Sequence, residues 1–289
     1  MVVREPACLF AIPGIDDLLG TDPELRGLAG DPAAHLARER RRIEGLLRAG
    51  AIAVTGPSSV VLLRPLSWDT RHFGIGCADV VRIYGEDPPL HEVVDQAGRL
   101  GVSWLSARCR ADRVDLCGAL VRAGFELADT SVELGAVLSD PPTSPARPAC
   151  SEDAPELRRI ARTFRQNRFH LDRRVDPARA DALYEAWATH DASVVVEENG
   201  RPVGFCGWRP PDPDDALRVG ALTLIVIAPE ARGKGHFPDL VRGVRAALHA
   251  AGARVMITST QVHNAAAMRA FAREGLLPFS ARHVFHRWT

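Results

Sequence analysis

The sequence predicts an α/β protein in two parts, and three observations lead there. Apolar strand-like runs alternate with segments of helical period along most of the chain. A proline-rich break, SDPPTSPARPAC at 139–150, separates two such series, because four prolines can continue neither a helix nor a central strand. Residues Trp104–Phe125 also lie over Val255–Leu276 without a gap, strand on strand and helix on helix. Leu116 then falls on Ala267, Leu120 on Phe271 and Gly124 on Gly275. The expected organisation is an N-terminal domain over 1–138, a linker over 139–150 and a second domain over 151–289. The first domain is read as a degenerate, partial copy of the second.

The elements of the second part read in order. Residues 153–166 give a helix with Leu157, Ile160 and Phe164 on one face, and 177–190 another with Leu183 and Trp187 inward. ASVVVEENG is a strand ending in an Asn-Gly turn, with RPVGFCGW as its hairpin partner. ALTLIVIAP is a longer apolar strand, as expected for burial on both faces. A helix follows from about Phe237 to His249, then the strand ARVMITST, a helix closed by Gly275, and a last strand, ARHVFHRW. In the first part, residues 58–84 read as two strands around a Trp-Asp turn. PLHEVVDQAGRLG is then a helix, VSWLSARC a strand, and DRVDLCGALVRAGF a helix ending at Gly124.

Composition narrows the function classes. Acidic and basic residues balance at 36 each, which gives no pull toward nucleic acid. No apolar run approaches membrane-spanning length and no leader pattern opens the chain, so a cytoplasmic protein without a membrane partner is expected. The six cysteines have no metal-ligand spacing, and no metal is expected; they read as reduced small hydrophobes.

The stretch ARGKGHFPDL, residues 231–240, carries the chemistry. A strand runs into a turn bearing Gly233 and Gly235, flanked by Arg232 and the chain's one lysine, Lys234, and a helix follows at once. Unpaired N–H groups at the start of that helix, its dipole, and glycines that permit close approach together suit a pyrophosphate. Neither the Walker loop nor the dinucleotide fingerprint fits, and the first part has no counterpart to Arg232–Gly235.

IAPEARGKGHFPDL resembles the coenzyme A loop of the GCN5-related N-acetyltransferases, whose Arg/Gln-x-x-Gly-x-Gly/Ala pattern maps onto Arg232, Gly235 and Phe237. TQVHNAAAMRAFAREGL resembles the same family's second half at Asn264, Ala267, Phe271 and Gly275. More narrowly SWDTRHFGIG, NRFHLD, STQVHN and FHRW resemble the TDP-fucosamine acetyltransferase branch, while the first 55 residues carry no such likeness. The resemblance implies a mixed, mostly antiparallel sheet and acetyl-CoA or another acyl-CoA as co-substrate. Backbone groups of Ile225, Val226 and Ile227 would hold pantetheine, and N–H groups around Arg232, Gly233, Lys234, Gly235 and His236 the pyrophosphate. Asn264 would contact the pantetheine arm. A primary amine of a small molecule would attack the thioester directly, without a covalent enzyme intermediate.

Two departures stand out. Phe237 replaces a small residue, and Phe271 stands where many members place a tyrosine that protonates the departing thiolate. His263, His283 and His286 are then candidate proton donors, with His263 first because it adjoins Asn264. Two readings of NRFHLD stand side by side. In one, Arg168, Phe169, His170 and Asp172 bind the acceptor and His170 removes its proton; in the other, Asp172 and Arg168 hold a capped loop. Thr223 either orients a water for the amine or is a β-branched strand residue. Trp68 either shapes an acceptor pocket between the halves or packs in its turn. An amino sugar or specialised-metabolism amine fits best as acceptor, with the protein a monomer or homodimer. The alternative donor is a carrier-protein phosphopantetheine, and the non-catalytic alternative is an acyl-CoA-binding module.

Overall fold

The computed structural model describes residues 1–20, 32–139, 143–165 and 167–289. The first elements are β1 (Val2–Val3), α1 (Pro6–Phe10), α2 (Ile15–Gly20), α3 (Pro32–Arg48), β2 (Ile52–Thr55), β3 (Ser59–Pro65), α4 (Ser67–Phe73), β4 (Cys77–Gly85), α5 (Leu90–Arg99), β5 (Trp104–Arg110), α6 (Val114–Arg122) and β6 (Glu126–Val137). There follow β7 (Arg147–Pro148), α7 (Ala154–Ala161), α8 (Arg168–Leu171), α9 (Pro177–Trp187), β8 (Ala192–Glu198), β9 (Arg201–Arg209), β10 (Val219–Ile227), α10 (His236–Ala250), β11 (Val255–Gln261), α11 (Ala265–Arg273) and β12 (Leu277–Trp288). These fold as two compact units, Met1–Thr130 with Ala281–Thr289, and Ser131–Ser280.

In the first unit the strand order is β1-β2-β3-β4-β5-β12. Its pairs are antiparallel apart from β4 with β5. Alternation along β3 sends Val61 and Leu63 to one face, where α5 and α6 close over them with Val93, Leu116 and Leu120. Val60 and Leu62 point to the other face, under Leu9 and Ile43 of α1 and α3. Helix α3 buries His35, Glu39, Ile43 and Leu47, one residue per turn. Burying Glu39 is tolerated because the Tyr84 hydroxyl donates to it at 2.8 Å and Arg82 lies 3.7 Å away.

The second unit has the order β6-β11-β10-β9-β8-β7, mixed in the same way, with β10 and β11 parallel. Leu240, Val241, Val244 and Leu248 of α10 pack with Val194, Cys206 and Met256 of the sheet and with Phe271 of α11. Ser131–Val137 of β6 are the border strand here, whereas the chain's last strand borders the first unit. The unit boundaries therefore differ from the expected 138 and 151. The ungapped match between the halves does extend further than the sequence suggested. Strands β5 and β11, helices α6 and α11, and strands β6 and β12 correspond residue for residue, and Gly124 and Gly275 share a left-handed φ of 82° and 79°.

Several local expectations are corrected. The Trp-Asp turn is helix α4, started by Asp69 near its N-terminus and stopped at Gly74, whose φ is 71°. The helices expected over 153–166 and 177–190 end early, at Ala161 and Trp187, and Trp187 is 39% exposed rather than inward. Strand β10 is not buried on both faces: Val226 is buried, but Thr223, Ile225 and Ile227 are only partly so. Within the proline-rich stretch, Arg147 and Pro148 pair with β8, so it is not a connector throughout.

Candidate active site

The site begins where two parallel strands part. Val219–Ala221 of β10 pair with Val255–Ile257 of β11, and the pairing stops there. From Leu224 to Ile227, β10 stays paired with β9 on its other side, while β11 continues along β6. Ile225, Val226 and Ile227 therefore lie on a strand whose β11 side has opened into a wedge. Thr223 is the extra residue of a bulge, between Leu222 opposite Trp208 and Leu224 opposite Gly207. A Cβ at 207 would sit 2.8 Å from the Thr223 hydroxyl oxygen, so any larger residue opposite the bulge must displace that side chain.

Beyond Ile227 the chain makes a short turn of 3-10 helix, Pro229–Ala231, and enters the loop. Gly233 and Gly235 have φ of 80° and 94°, a region costly for other residues, and added Cβ atoms would meet nothing within 4 Å. This combination of forced backbone and open space sits at the start of the fifteen-residue α10. The Arg232 side chain donates back to the Ile227 carbonyl at 3.2 Å and ties loop to strand. Pro238 falls in the first turn of α10, where a missing N–H costs little.

The family model described as Acetyltransferase (GNAT) matches residues 156–276, which span this wedge and loop. Residues 156–276 are a GNAT acetyltransferase domain. Acetyl-CoA is the co-substrate of that family. Among similar proteins, the dTDP-fucosamine acetyltransferase of Escherichia coli O6:H1 is 25% identical over 222 residues, 74% of this chain and 92% of that protein. The mycothiol acetyltransferase of Sanguibacter keddieii is 26% identical over 277 residues, 89% of this chain and 83% of that protein. The crystal structure of a GCN5-related N-acetyltransferase from Sphaerobacter thermophilus shares the fold, with a TM-score of 0.64 at 17% identity, over 100% of this chain and 95% of that one.

Within the GNAT domain the two departures prove to be one feature. The rings of Phe237 and Phe271 meet edge to face with centroids 4.9 Å apart, and Phe271 is 1% exposed. A bulky residue at the loop thus packs on the ring that stands in the tyrosine's place. Asn264 caps α11, its side-chain oxygen accepting from the Ala267 N–H at 3.2 Å; its amide N–H groups remain the part able to serve a ligand. His263 is exposed in the turn just before that cap.

NRFHLD is the short helix α8, and the capping falls to other residues than expected. Asn167 accepts from the N–H groups of Phe169 and His170, at 3.0 and 3.2 Å. Asp172 pairs with Arg174 at 3.0 Å, while Arg168 lies over the Phe169 ring at 4.6 Å. His170 has both ring nitrogens engaged, Nε2 with Asp181 at 2.9 Å and Nδ1 with Asn167. Phe169 is 1% exposed. The loop is thus capped by Asn167 rather than held by Asp172 and Arg168. Trp68 lies in the other unit, on α4, stacked on His72 with centroids 4.8 Å apart. His286 is fully buried against Trp104, and His283 bonds Thr130 at 2.9 Å, so both behave as strand residues.

Two residues at the site were not singled out from sequence. Glu198, at the end of β8, meets Lys234 at 2.9 Å and His236 at 2.8 Å, and these two hydrogen bonds hold its carboxyl below the usual range. Asp191 stands beside the bulge. Burial raises its pKa, but hydrogen bonds from Arg209, His190 and Thr223 outweigh that and keep it low. The Thr223 hydroxyl thus lies near enough to this carboxylate to help lower its pKa. Neither acid neighbours the loop in sequence, so only strand register could have revealed them.

Proposed function

We propose that the protein transfers an acetyl group, or another short acyl group, from coenzyme A to a primary amine of a small molecule by direct attack. The observation that carries this is the opened side of β10 running straight into the left-handed glycines 233 and 235 at the start of α10. Backbone groups of Ile225, Val226 and Ile227 take the pantetheine amides. N–H groups of Gly233 through Phe237 take the pyrophosphate, assisted by Arg232, Lys234 and His236. Asn264 donates to the pantetheine arm.

The amine nitrogen attacks the thioester carbon, the carbonyl oxygen takes up negative charge, and the carbon–sulfur bond then breaks. A backbone N–H freed from the ladder at the Thr223 bulge stabilises that charge. The attacking nitrogen gives up one proton to solvent; with Phe271 sealed by Phe237, the sulfur leaves as thiolate and takes a proton from solvent, which a thiol of pKa about 8.5 permits near neutral pH. Asp191 fixes the Thr223 hydroxyl and so the bulge. Small-molecule acceptors are supported by the two curated relatives, whose names specify fucosamine and mycothiol. Arg168 and Asp172 remain candidate acceptor contacts within the second unit.

The test is release of free thiol from acetyl-CoA with a panel of amino sugars and other primary amines. Amine-dependent release supports the reading. Stabilisation by acyl-CoA without release for any amine would reduce the protein to a binding module. No change in melting temperature with any acyl-CoA would contradict the donor.

A further inference from the structure

The first unit contains a wedge of its own. Strands β4 and β5 pair in parallel from Cys77–Trp104 to Val80–Ala107 and then part. Where the second unit has its glycine loop, the chain here reads Glu86-Asp87-Pro88-Pro89 before α5, acidic and poor in N–H donors. That turn repels a pyrophosphate. The wedge instead opens into a cavity of about 210 Å³ lined by Arg82, Arg108, Arg110, Arg113 and Arg282, with no carboxylate among its lining residues.

The arginines come from four elements. Arg82 comes from β4, Arg108 and Arg110 from β5, and Arg113 from the start of α6. Arg282 of β12 stands opposite Arg110 in the ladder. Arg82 and Arg282 are buried, at 9% and 7% exposure. Carboxylates outside the lining brace several of them. Asp112 pairs with Arg110, Asp115 with Arg113 at 2.7 Å, Asp79 with Arg108 at 3.9 Å and Glu39 with Arg82 at 3.7 Å. Arg113 also donates to the Gly85 carbonyl at 3.0 Å, joining the end of β4 to the start of α6. Braced forks of this kind lose little freedom on meeting an oxyanion.

We infer that this arginine-lined wedge is a second ligand site, taking a small molecule with two or more carboxylate or phosphate groups. A cavity of about 210 Å³ suits a small polyanion. Arginine is matched to both oxyanions through its planar pair of donors. The inference does not rest on the acyl-transfer reading, because it concerns a different unit and a different set of residues.

The test is calorimetric titration of the full chain with citrate and, separately, with inorganic pyrophosphate. Three proteins are compared: wild type, a double Arg108→Gln and Arg110→Gln variant, and a double Arg232→Gln and Lys234→Gln variant. Arg108 and Arg110 are partly exposed, so their loss should leave unliganded melting close to wild type. Binding of at least one anion is expected, with a component weakened at least about tenfold in the β5 variant and retained in the loop variant, which loses only pyrophosphate held at the coenzyme A loop. Binding of citrate alone would assign a carboxylate ligand, and binding of pyrophosphate alone a phosphate ligand. No binding of either anion, or a loss confined to the loop variant, overturns the inference. Should the double variant melt early, single Arg108→Gln and Arg110→Gln variants give the same readout, and equal affinity to wild type in both overturns it as well.

Discussion

The two wedges start alike and end differently. In each, two parallel strands pair for a few residues and then part, and a helix corresponding residue for residue follows the second strand. Past the wedge of the second unit lie Gly233 and Gly235, with backbone twisted to left-handed φ and open space around both. Past the wedge of the first unit lie two prolines and two acids, and the cavity is lined by arginine side chains. One wedge thus offers backbone donors at a helix start, the other guanidinium forks. The lesson is that parted strands supply only a cleft; the turn beyond decides which anion, held by which groups, can occupy it.

Glycine substitution separates the two most strongly. Gly235→Val should weaken acyl-CoA binding about 100-fold, because left-handed strain and a branched side chain both disturb the loop. Gly85→Ala, at the end of the other wedge, should instead cost about 3 kcal/mol of stability. Its Cβ would sit 2.0 Å from the Ser58 carbonyl oxygen. Titration with acyl-CoA and chemical denaturation distinguish these outcomes; equal effects of both changes on binding would erase the contrast.

Next in size is Asp191→Asn, expected to lower turnover about tenfold while leaving the acyl-CoA KM within about twofold. The carboxyl of Asp191 has its folded pKa held below the unfolded value near 3.9, so its stabilisation is present above that pH. It is lost only as pH falls further, and the variant should lack that part of the acid limb in a pH–melting profile. Glu198→Gln should improve acyl-CoA affinity about threefold at low salt, with the gain fading as salt rises. Glu198 opposes an incoming phosphate by holding Lys234 and His236, and weaker binding in the variant would show that it positions them instead. The smallest change is Phe271→Tyr. Turnover should stay within about threefold of wild type, with a stability loss of about 1 kcal/mol for burying a hydroxyl beside Phe237. A large gain at high pH would mean that thiolate protonation limits the rate.

Much of the second unit was legible because its signals are local. ARGKGHFPDL holds its glycines, its proline and the start of the α10 stripe within ten residues, and the β8–β9 hairpin is announced by Asn199-Gly200. Helix α3 went unread because arginines crowd the face between its few apolar positions, and one of its buried residues is Glu39. The destinations of β6 and β12 are matters of pairing, which no local pattern encodes. Likewise the Lys234–Glu198 and Asp191–Thr223 contacts depend on register across strands far apart in sequence. Phe237 and Phe271 read as separate departures from the family pattern until packing joined them.

The central claim is that coenzyme A occupies the wedge of the second unit and not that of the first. Hydrogen exchange of the full chain, with and without saturating acetyl-CoA, tests it directly, since both wedges are read in one experiment. Slower exchange is predicted for amides of residues 224–240, with residues 81–90 unchanged. Protection of 81–90 with 224–240 unchanged would contradict the account.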